Sequence, residues 1–255
     1  MYISGMSSST PETTPPSTAG SSAGSARGIE GRRARQRREL LEAIDVEARR
    51  LLFEGGPSNV SMRAIARSVG MGPASLYTYF DGLDDIFTML LLSSYGRLAA
   101  ATAASVDAFA ESPPSDRVFV GILAYRRWAL DHRNEFNLLF TDQLPGYAAP
   151  QGGPTIAAQT AVFQPIVDAL LEISPGEAAL RDEADVLLAV GIPVWTTFHG
   201  AVSLEVNNHL DWISDTADLH ERVVRAALSS FGVPPAGQHV RRDFDRWIGA
   251  GVAEA

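Results

Sequence analysis

The sequence contains no cysteine and no lysine among its 255 residues. Without cysteine there are no disulfide bonds, thiol nucleophiles or cysteine metal sites, as is typical of proteins in a reducing compartment. Long apolar runs are also missing, since none reaches the roughly 18 residues that indicate a membrane helix. The sequence also lacks a basic start followed by an apolar segment, which is the pattern that predicts a secretory signal. We therefore expect a cytoplasmic protein with no membrane partner.

The charge of the chain is unevenly distributed, although the net charge is -9. Residues 1–97 hold 11 arginines against 10 acidic residues, and residues 98–255 hold 10 against 20. Because salt screens charges beyond about 10 Å, a local cluster of one sign acts on a phosphate largely independently of the distant acidic excess. One such cluster is a basic arm within residues 27–38, formed by Arg27, Arg32, Arg33, Arg35, Arg37 and Arg38.

The hydrophobic pattern divides the chain into four parts. Residues 1–30 are rich in Ser, Thr, Pro and Gly and are expected to be a disordered tail, because they bury too little apolar surface. Residues 31–82 and 83–232 have helical periodicity with no strand-like alternation, which predicts two all-α domains with about nine helices in total. The last part, residues 233–255, is a tail in which Arg241–Ile248 has the pattern of a short helix.

The segment SMRAIARSVGMGPASLYTYF, residues 61–80, has the pattern of two short helices joined by a tight turn. Ser61 is a good N-cap, Gly70 suits the turn, and Pro73 suits the first position of the second helix. Ala66 is small enough for close helix contact, and the residues expected to face inward are Ile65, Val69 and Leu76. The pattern predicts a helix-turn-helix, in which the second helix fits the major groove of DNA.

The outward residues of the second helix are suited to contact DNA. Small residues, Gly72 to Ser75, permit close approach, and hydroxyl groups on Ser75, Tyr77, Thr78 and Tyr79 can donate to phosphate oxygens. Ala74 and the Thr78 methyl group can meet thymine methyl groups. From the residues alone, a helical hairpin with tyrosines packed in a core remains the alternative.

Residues 33–98 resemble the DNA-binding domain of the tetracycline-repressor (TetR) family of bacterial transcriptional regulators. The resemblance lies in Ser61–Ala66, Val69-Gly70-Met71, Leu76–Phe80 and the start of the next helix at Leu83-Asp84-Asp85-Ile86. It implies that Tyr77 and Tyr79 contact phosphates and that Arg63 and the helix start at Ser61 hold the DNA backbone. It also implies that Pro73, Ala74, Ser75 and Thr78 face the bases. Leu83 departs from the family, which usually has a phosphate-contacting lysine there, and we expect the basic arm to compensate.

The second half resembles one subgroup of the family, which has a Trp…His-Gly motif in its eighth helix. The motif here is Trp195, His199 and Gly200, and the resemblance implies a domain that dimerises and binds a small-molecule effector. Trp195 and His199 share a helix face, and Pro193 is expected to kink that helix and open a gap. The other predicted walls of an apolar cavity are Trp128, Phe136, Phe140 and Phe163. The alternative is that these aromatics are core residues and that His199 is a hydrogen-bonded core histidine.

Two apolar stripes are candidates for a homodimer interface, as the resemblance implies for the last two helices. They consist of Val186, Val190 and Val194 in one helix and of Leu219, Val223, Val224, Ala227 and Phe231 in the other. An isologous dimer would match the two-fold symmetry of a palindromic DNA site. The alternative is that both stripes pack within one subunit.

Together these features predict a ligand-responsive regulator that binds a double-stranded operator as a dimer, most simply as a repressor released by a small molecule. We expect no enzymatic activity, cofactor or metal, because no nucleophile–base pair or phosphate loop is recognisable. Glu205 and His209 share a helix face but lack a third ligand with clear spacing. Two alternatives stay open: an all-α enzyme or metabolite-binding protein, and an adaptor that has lost DNA binding.

Overall fold

The computed structural model describes residues 22–141, 144, 146–149, 152–173 and 187–253. This part of the chain contains ten α-helices and no strand. The helices are α1 (Ser22–Gly55), α2 (Met62–Ser68), α3 (Pro73–Leu76), α4 (Leu83–Ala108), α5 (Pro114–Asp131), α6 (Arg133–Phe140), α7 (Pro154–Ile173), α8 (Ile192–Val206), α9 (Thr216–Ser230) and α10 (Val240–Ala253). A 3-10 turn at Pro57–Asn59 follows α1, and a π-helical turn at Leu187–Gly191 leads into α8.

The all-α prediction is confirmed, and two helix boundaries differ from the expectation. Helix α1 begins at Ser22, so residues 22–30 are helical rather than part of a disordered tail. No proline interrupts the chain between Pro16 and Pro57, and arginine and alanine favour a helix through this stretch. Residues 1–21 of the predicted tail lie outside the described residues. In the C-terminal tail, the helix expected over Arg241–Ile248 is longer and forms α10, Val240–Ala253.

A first hydrophobic core joins α1, α2, α3 and the start of α4. Its fully buried members are Ile44, Ala48, Ile65, Ala66, Leu76, Ile86 and Leu90. Leu138 of α6 also belongs to this core, although α6 lies in the second half of the chain. The N-terminal domain is therefore packed directly against one helix of the C-terminal domain.

A second, larger core is built around α5, which carries the fully buried side chains Val118, Phe119, Ile122 and Tyr125. Helix α7 approaches α5 closely at Gly121, where an added Cβ would lie 2.5 Å from Ile166 Cγ1. Both α4 and α7 are long and apolar enough to cross a membrane by length and composition alone. Core helices of soluble proteins pass the same test, and here both helices contribute buried residues to the second core.

The apolar stripe predicted on α8 as a dimer contact faces the interior of its own subunit. Val190 and Val194 are 7% and 2% exposed and belong to the second core, and Val186 lies outside the described residues. The corresponding α9 residues Val224 and Ala227 are also buried. The stripe prediction was wrong for these residues because an apolar helix face packs first against its own core.

His220 on α9 is buried without a hydrogen-bond partner for either ring nitrogen among the described residues. The pKa of His220 is lowered to about 3, mainly by burial and further by the positive charges of Arg126 and Arg241, against the opposing effect of Glu205. The folded protein therefore holds this histidine neutral.

We predict that His220 makes folding stability fall between about pH 6.5 and pH 3. The unfolded chain binds the proton near pH 6.5 and the folded chain does not, so protonation favours unfolding as the pH falls. From pH 7.5 to pH 5 the expected loss is about 2 kcal/mol. Urea unfolding of the wild type and of His220→Phe at both pH values measures it. A phenylalanine variant with the same pH dependence as the wild type would refute the assignment.

Candidate nucleic-acid interface and ligand cavity

The helix-turn-helix is held by a side-chain cap and a glycine turn. The Ser61 hydroxyl accepts a hydrogen bond from the Ala64 N–H at 3.2 Å, which caps α2. Gly70 has φ +72, a conformation that other residues adopt at a cost, and the Met71 N–H donates to the Ala66 carbonyl at 2.8 Å. These contacts fix the angle at which α3 leaves α2.

Helix α3 is shorter than the sequence indicated. It ends at Leu76 rather than near Phe80, and the chain continues in tight turns in which the Tyr79 N–H donates to the Leu76 carbonyl at 3.0 Å. The segment Tyr77-Thr78-Tyr79 combines aromatic and β-branched residues, which have low helix propensity. The backbone nevertheless keeps Tyr77 and Thr78 on the outer side.

Apart from Tyr79, the predicted DNA-contacting residues form an exposed surface around a buried anchor. Leu76 is fully buried, whereas Tyr77 is 55% exposed. The other exposed members are Arg35, Arg38, Ser61, Arg63, Gly72, Pro73, Ala74, Ser75 and Thr78. We call this set the recognition surface. It disfavours the alternative in which the hairpin buries its tyrosines in a core.

Two residues of the recognition segment are partly engaged within the protein. The Thr78 hydroxyl donates to the Ser75 carbonyl at 2.7 Å, so its hydrogen is not free to reach a phosphate as expected, although its methyl group remains available. Tyr79 is half-buried, and the guanidinium of Arg37 lies over its ring at 5.1 Å from the centroid. This cation–π contact ties the basic arm to the end of the recognition segment.

Leu83, the departure from the family pattern, has a packing role. It is half-buried against the first core. Beside it, the Asp85 carboxylate accepts a hydrogen bond from the Asp81 N–H at 2.7 Å and stabilises the start of α4. Asp85 thus serves the helix start.

A network of charged side chains joins the two domains. Arg49 of α1 donates to the Asp45 carboxylate at 3.0 Å and to the hydroxyl groups of Ser93 and Ser94 of α4 at 2.6 and 2.8 Å. Glu135 of α6 lies 3.5 Å from Arg49, and the three ionised side chains, Asp45, Arg49 and Glu135, are only 11–15% exposed. Arg97 of α4 donates to the same Glu135 carboxylate at 2.7 Å.

Helix α6 is bound on its other side to the end of α8. Asn137 and Asn207 exchange amide hydrogen bonds of 3.0 and 3.2 Å, and Arg133 donates to the Val206 carbonyl at 2.7 Å. Helix α6 therefore touches both α8 and, through Glu135, the N-terminal domain.

We predict that the Arg49–Glu135 pair contributes about 1–3 kcal/mol of coupling to folding stability, because both side chains are largely removed from water. A double-mutant cycle with Arg49→Ala and Glu135→Ala in urea unfolding measures this coupling. The neighbouring Arg50–Glu54 pair is a matched control, since its side chains are 44% and 65% exposed and we expect at most about 0.5 kcal/mol. Equal coupling in the two pairs would contradict the interdomain role.

A cluster of aromatic rings fills the centre of the second domain. The Tyr125 hydroxyl and His199 Nδ1 lie 2.8 Å apart in a hydrogen bond, and the rings of Phe136 and Phe140 lie 5.5 and 4.9 Å from the His199 ring. Burial lowers the pKa of His199 and raises that of Tyr125, although the adjacent Trp195 indole slightly offsets the latter shift. Both groups are therefore neutral near pH 7.

A cavity of about 210 Å³ lies next to this cluster, between α7 and α8. Its walls are mostly apolar, and Thr160 and Gln159 lie on its α7 side. The apolar lining consists of Phe163, Ile166, Val167, Leu170, Ile192, Val194, Trp195 and Phe198. The π-helical turn at Leu187–Gly191 and Pro193 lie at the same place, where the missing proline N–H and the widened turn interrupt regular helix.

The six predicted ligand residues fall into three groups. Phe163 and Trp195 line the cavity. Phe136, Phe140 and His199 lie in the adjoining aromatic cluster. Trp128 is in neither group, because it stacks on His132 at 4.9 Å near the end of α5.

The sequence reasoning missed Tyr125 and most of the cavity lining. Tyr125, rather than Trp128, is the α5 residue that reaches His199, and Phe198 of α8 lines the cavity. Tyr125 lies within residues 125–140, a stretch that also resembles the subgroup, and this was the available signal for it. The apolar cavity residues looked like ordinary core positions.

Glu205, which lies four residues before His209 in the sequence, forms an ion pair with Arg126. Burial would raise its pKa, but hydrogen bonds from Arg126 and Thr216 and the charge of Arg126 lower it overall. The Arg126 Nε–H donates to the carboxylate at 2.8 Å. Among the described residues there is no group of three acidic, histidine or cysteine side chains able to hold a metal ion.

Comparison with known proteins matches both halves of the chain to described families. Residues 46–89 match the bacterial regulatory proteins of the tetR family, and residues 121–227 match the tetracyclin repressor-like C-terminal domain. The HTH-type transcriptional regulator Rv1816 of Mycobacterium tuberculosis is 32% identical over 195 residues, which are 68% of this chain and 83% of that protein.

Solved structures share the fold. The structure of the protein SCO4313 has a TM-score of 0.64 and 27% identity, and the match covers 77% of this chain and 98% of that one. A TetR family transcription regulator from Marinobacter aquaeolei VT8 has a TM-score of 0.55 at 15% identity, covering 77% and 97% of the two chains. At that identity the second match supports the fold alone.

Proposed function

Because this chain belongs to the TetR family of helix-turn-helix transcriptional regulators, we propose that it is a repressor that binds a palindromic operator as a homodimer and is released by a small molecule. It would act in the cytoplasm. The observation that carries the proposal is the exposed recognition surface on one domain, combined with an apolar cavity in the other. We also assign the chain to the subgroup with the Trp…His-Gly motif, supported by Trp195, His199 and Gly200 of α8.

The proposed operator contacts follow the recognition surface. The Tyr77 hydroxyl would donate to a phosphate, as would Tyr79 from its half-buried position, while Pro73, Ala74, Ser75 and the Thr78 methyl group would face bases. Arg35 and Arg38 lie exposed on α1 and would add non-specific attraction to phosphates.

The proposed dimer would use the outer face of α8 rather than the inner stripe. Leu204 is 47% exposed on this face, and Gly200, one turn before it, has open space where a Cβ would be. On α9, Leu219 and Val223 are half-buried and Phe231 is 38% exposed just beyond the helix, so they remain available to a partner. Light scattering after size exclusion tests the dimer, and a monomer at micromolar concentration would contradict it.

Coupling between cavity and DNA would run through α4 and α6. Helix α8 lines the cavity, Asn207 at its end binds α6, and Glu135 of α6 binds Arg49 of the DNA-binding domain. A ligand shifts the DNA equilibrium only by its difference in affinity for the two arrangements, which is typically about 1–3 kcal/mol.

A reporter fused to the upstream region of this chain's own gene tests the direction of regulation. We expect the wild-type chain to lower reporter expression relative to cells without the protein. The Tyr77→Ala variant should leave expression at the level of those cells. Higher expression with the wild type would identify an activator, and equal expression for both chains would contradict regulation at this site.

A further inference from the structure

The cavity between α7 and α8 has a chemical character that restricts its ligand. Its described lining combines eight apolar residues with only Gly191, Gln159, Thr160 and Gln164. None of these described residues is ionisable. An unpaired charge transferred into such surroundings loses its hydration without a compensating partner, whereas an apolar group gains by leaving water.

The size of the cavity sets a second limit. An apolar protein cavity of about 150 Å³ is known to accept benzene, so a cavity of about 210 Å³ has room for one substituted ring. Aromatic rings of Phe163 and Trp195, whose centroids lie 5.5 Å apart in an edge-to-face arrangement, form part of the wall. Rings prefer such edge-to-face or offset contacts, which suits an aromatic ligand.

The polar groups at the cavity have limited hydrogen-bonding capacity. The Thr160 hydroxyl already donates to the Ile156 carbonyl at 3.0 Å, which leaves its oxygen as an acceptor, and Gln159 offers a neutral amide. The buried indole N–H of Trp195 is a donor with no hydrogen-bond partner among the described residues. The neighbouring His199 is held uncharged by burial. These groups suit one small neutral substituent on the ligand, such as a hydroxyl, carbonyl or nitro group.

We propose that this cavity binds an uncharged, mainly apolar molecule of about one-ring size and discriminates against its charged analogues. The proposal rests on the proposed function, because it names the ligand class of the effector site. Nitrobenzene and benzoate are a matched pair of probes, since they have nearly the same shape and differ by one charge. Benzylammonium is the cationic counterpart.

Isothermal titration of the full-length chain with the three probes tests the proposal. We expect nitrobenzene to bind at least about tenfold more tightly than benzoate or benzylammonium. Val167→Phe, which fills the cavity from α7, should weaken nitrobenzene binding about tenfold or more. Val46→Phe is the matched control, because Val46 is 61% exposed on α1, and this variant should bind as the wild type does. If Val167→Phe fails to fold, Thr160→Phe at the exposed α7 side of the cavity should produce the same loss.

Three results would overturn the inference: binding of a charged probe as tight as that of nitrobenzene, nitrobenzene binding unaffected by a folded cavity variant, or no binding of any probe. The last result would show that other residues or a partner subunit fill the cavity. DNA affinity measured without probes tests the proposed function separately. If the chain binds nitrobenzene but no duplex, this inference stands and the repressor proposal is refuted. If it binds the duplex but not nitrobenzene, the repressor proposal stands and this inference is refuted.

Discussion

Tyr77→Ala is expected to weaken operator binding about a hundredfold without lowering folding stability. The side chain is 55% exposed and lies on the recognition surface, so its loss removes no core contact. A hydrogen bond to a charged group contributes about 1.5–3 kcal/mol, and a dimer would lose two of them. Since each 1.4 kcal/mol is a factor of ten in affinity, a combined loss of about 3 kcal/mol or more corresponds to at least about a hundredfold.

Tyr77→Phe separates the hydroxyl from the ring. If the hydroxyl donates to a phosphate, the phenylalanine variant should lose most of the affinity that the alanine variant loses, and its urea unfolding should match the wild type. Anisotropy titrations of a labelled duplex compare the three chains. An alanine variant that binds as the wild type does would remove Tyr77 from the interface.

Phe136→Ala is expected to lower the free energy of unfolding by about 3–5 kcal/mol, the usual cost of truncating a buried aromatic ring. Phe136 is fully buried, and its ring lies 6.0 Å from Tyr125 and 5.1 Å from Phe140. Phe136 is therefore a core residue that supports His199, and it does not line the cavity. Urea unfolding measures the loss.

Phe163→Ala is the matched control for this prediction. Phe163 is half-buried and lines the cavity, so the same truncation should cost only about 1–2 kcal/mol and should change nitrobenzene binding. If Phe136→Ala were as mild as Phe163→Ala and improved probe binding, the aromatic cluster would be part of an adaptable pocket, and our separation of cluster and cavity would be wrong.

The sequence predicted the DNA-binding domain better than the ligand site, for a physical reason. A helix-turn-helix is defined by local signals: the cap at Ser61, the positive-φ turn at Gly70 and the inward positions of Ile65 and Leu76 are set by residues close in sequence. The short α3 was missed because tight turns after Leu76 continue the path of a helix without its full hydrogen-bond pattern.

The ligand cavity depends on contacts between distant segments, which helical periodicity does not specify. Tyr125 and Trp128 are aromatic residues three positions apart on α5, so the sequence pattern does not distinguish them. Only Tyr125 reaches His199, which is 74 residues away in the sequence. The inner stripe of α8 looked like an interface because an apolar face has the same pattern whether it packs on its own subunit or on a partner. No sequence pattern indicated Glu135, because its ion pairs with Arg49 and Arg97 form only where α6 meets α1 and α4.

The central claim, that this chain reads an operator, is tested most directly by anisotropy titration of the upstream region of its own gene at several salt concentrations. The account predicts tighter binding than to a scrambled duplex. It also predicts an affinity that falls about a thousandfold between 50 and 200 mM salt if six or more phosphates are contacted. Equal affinity for both duplexes, or binding that does not change with salt, would contradict it.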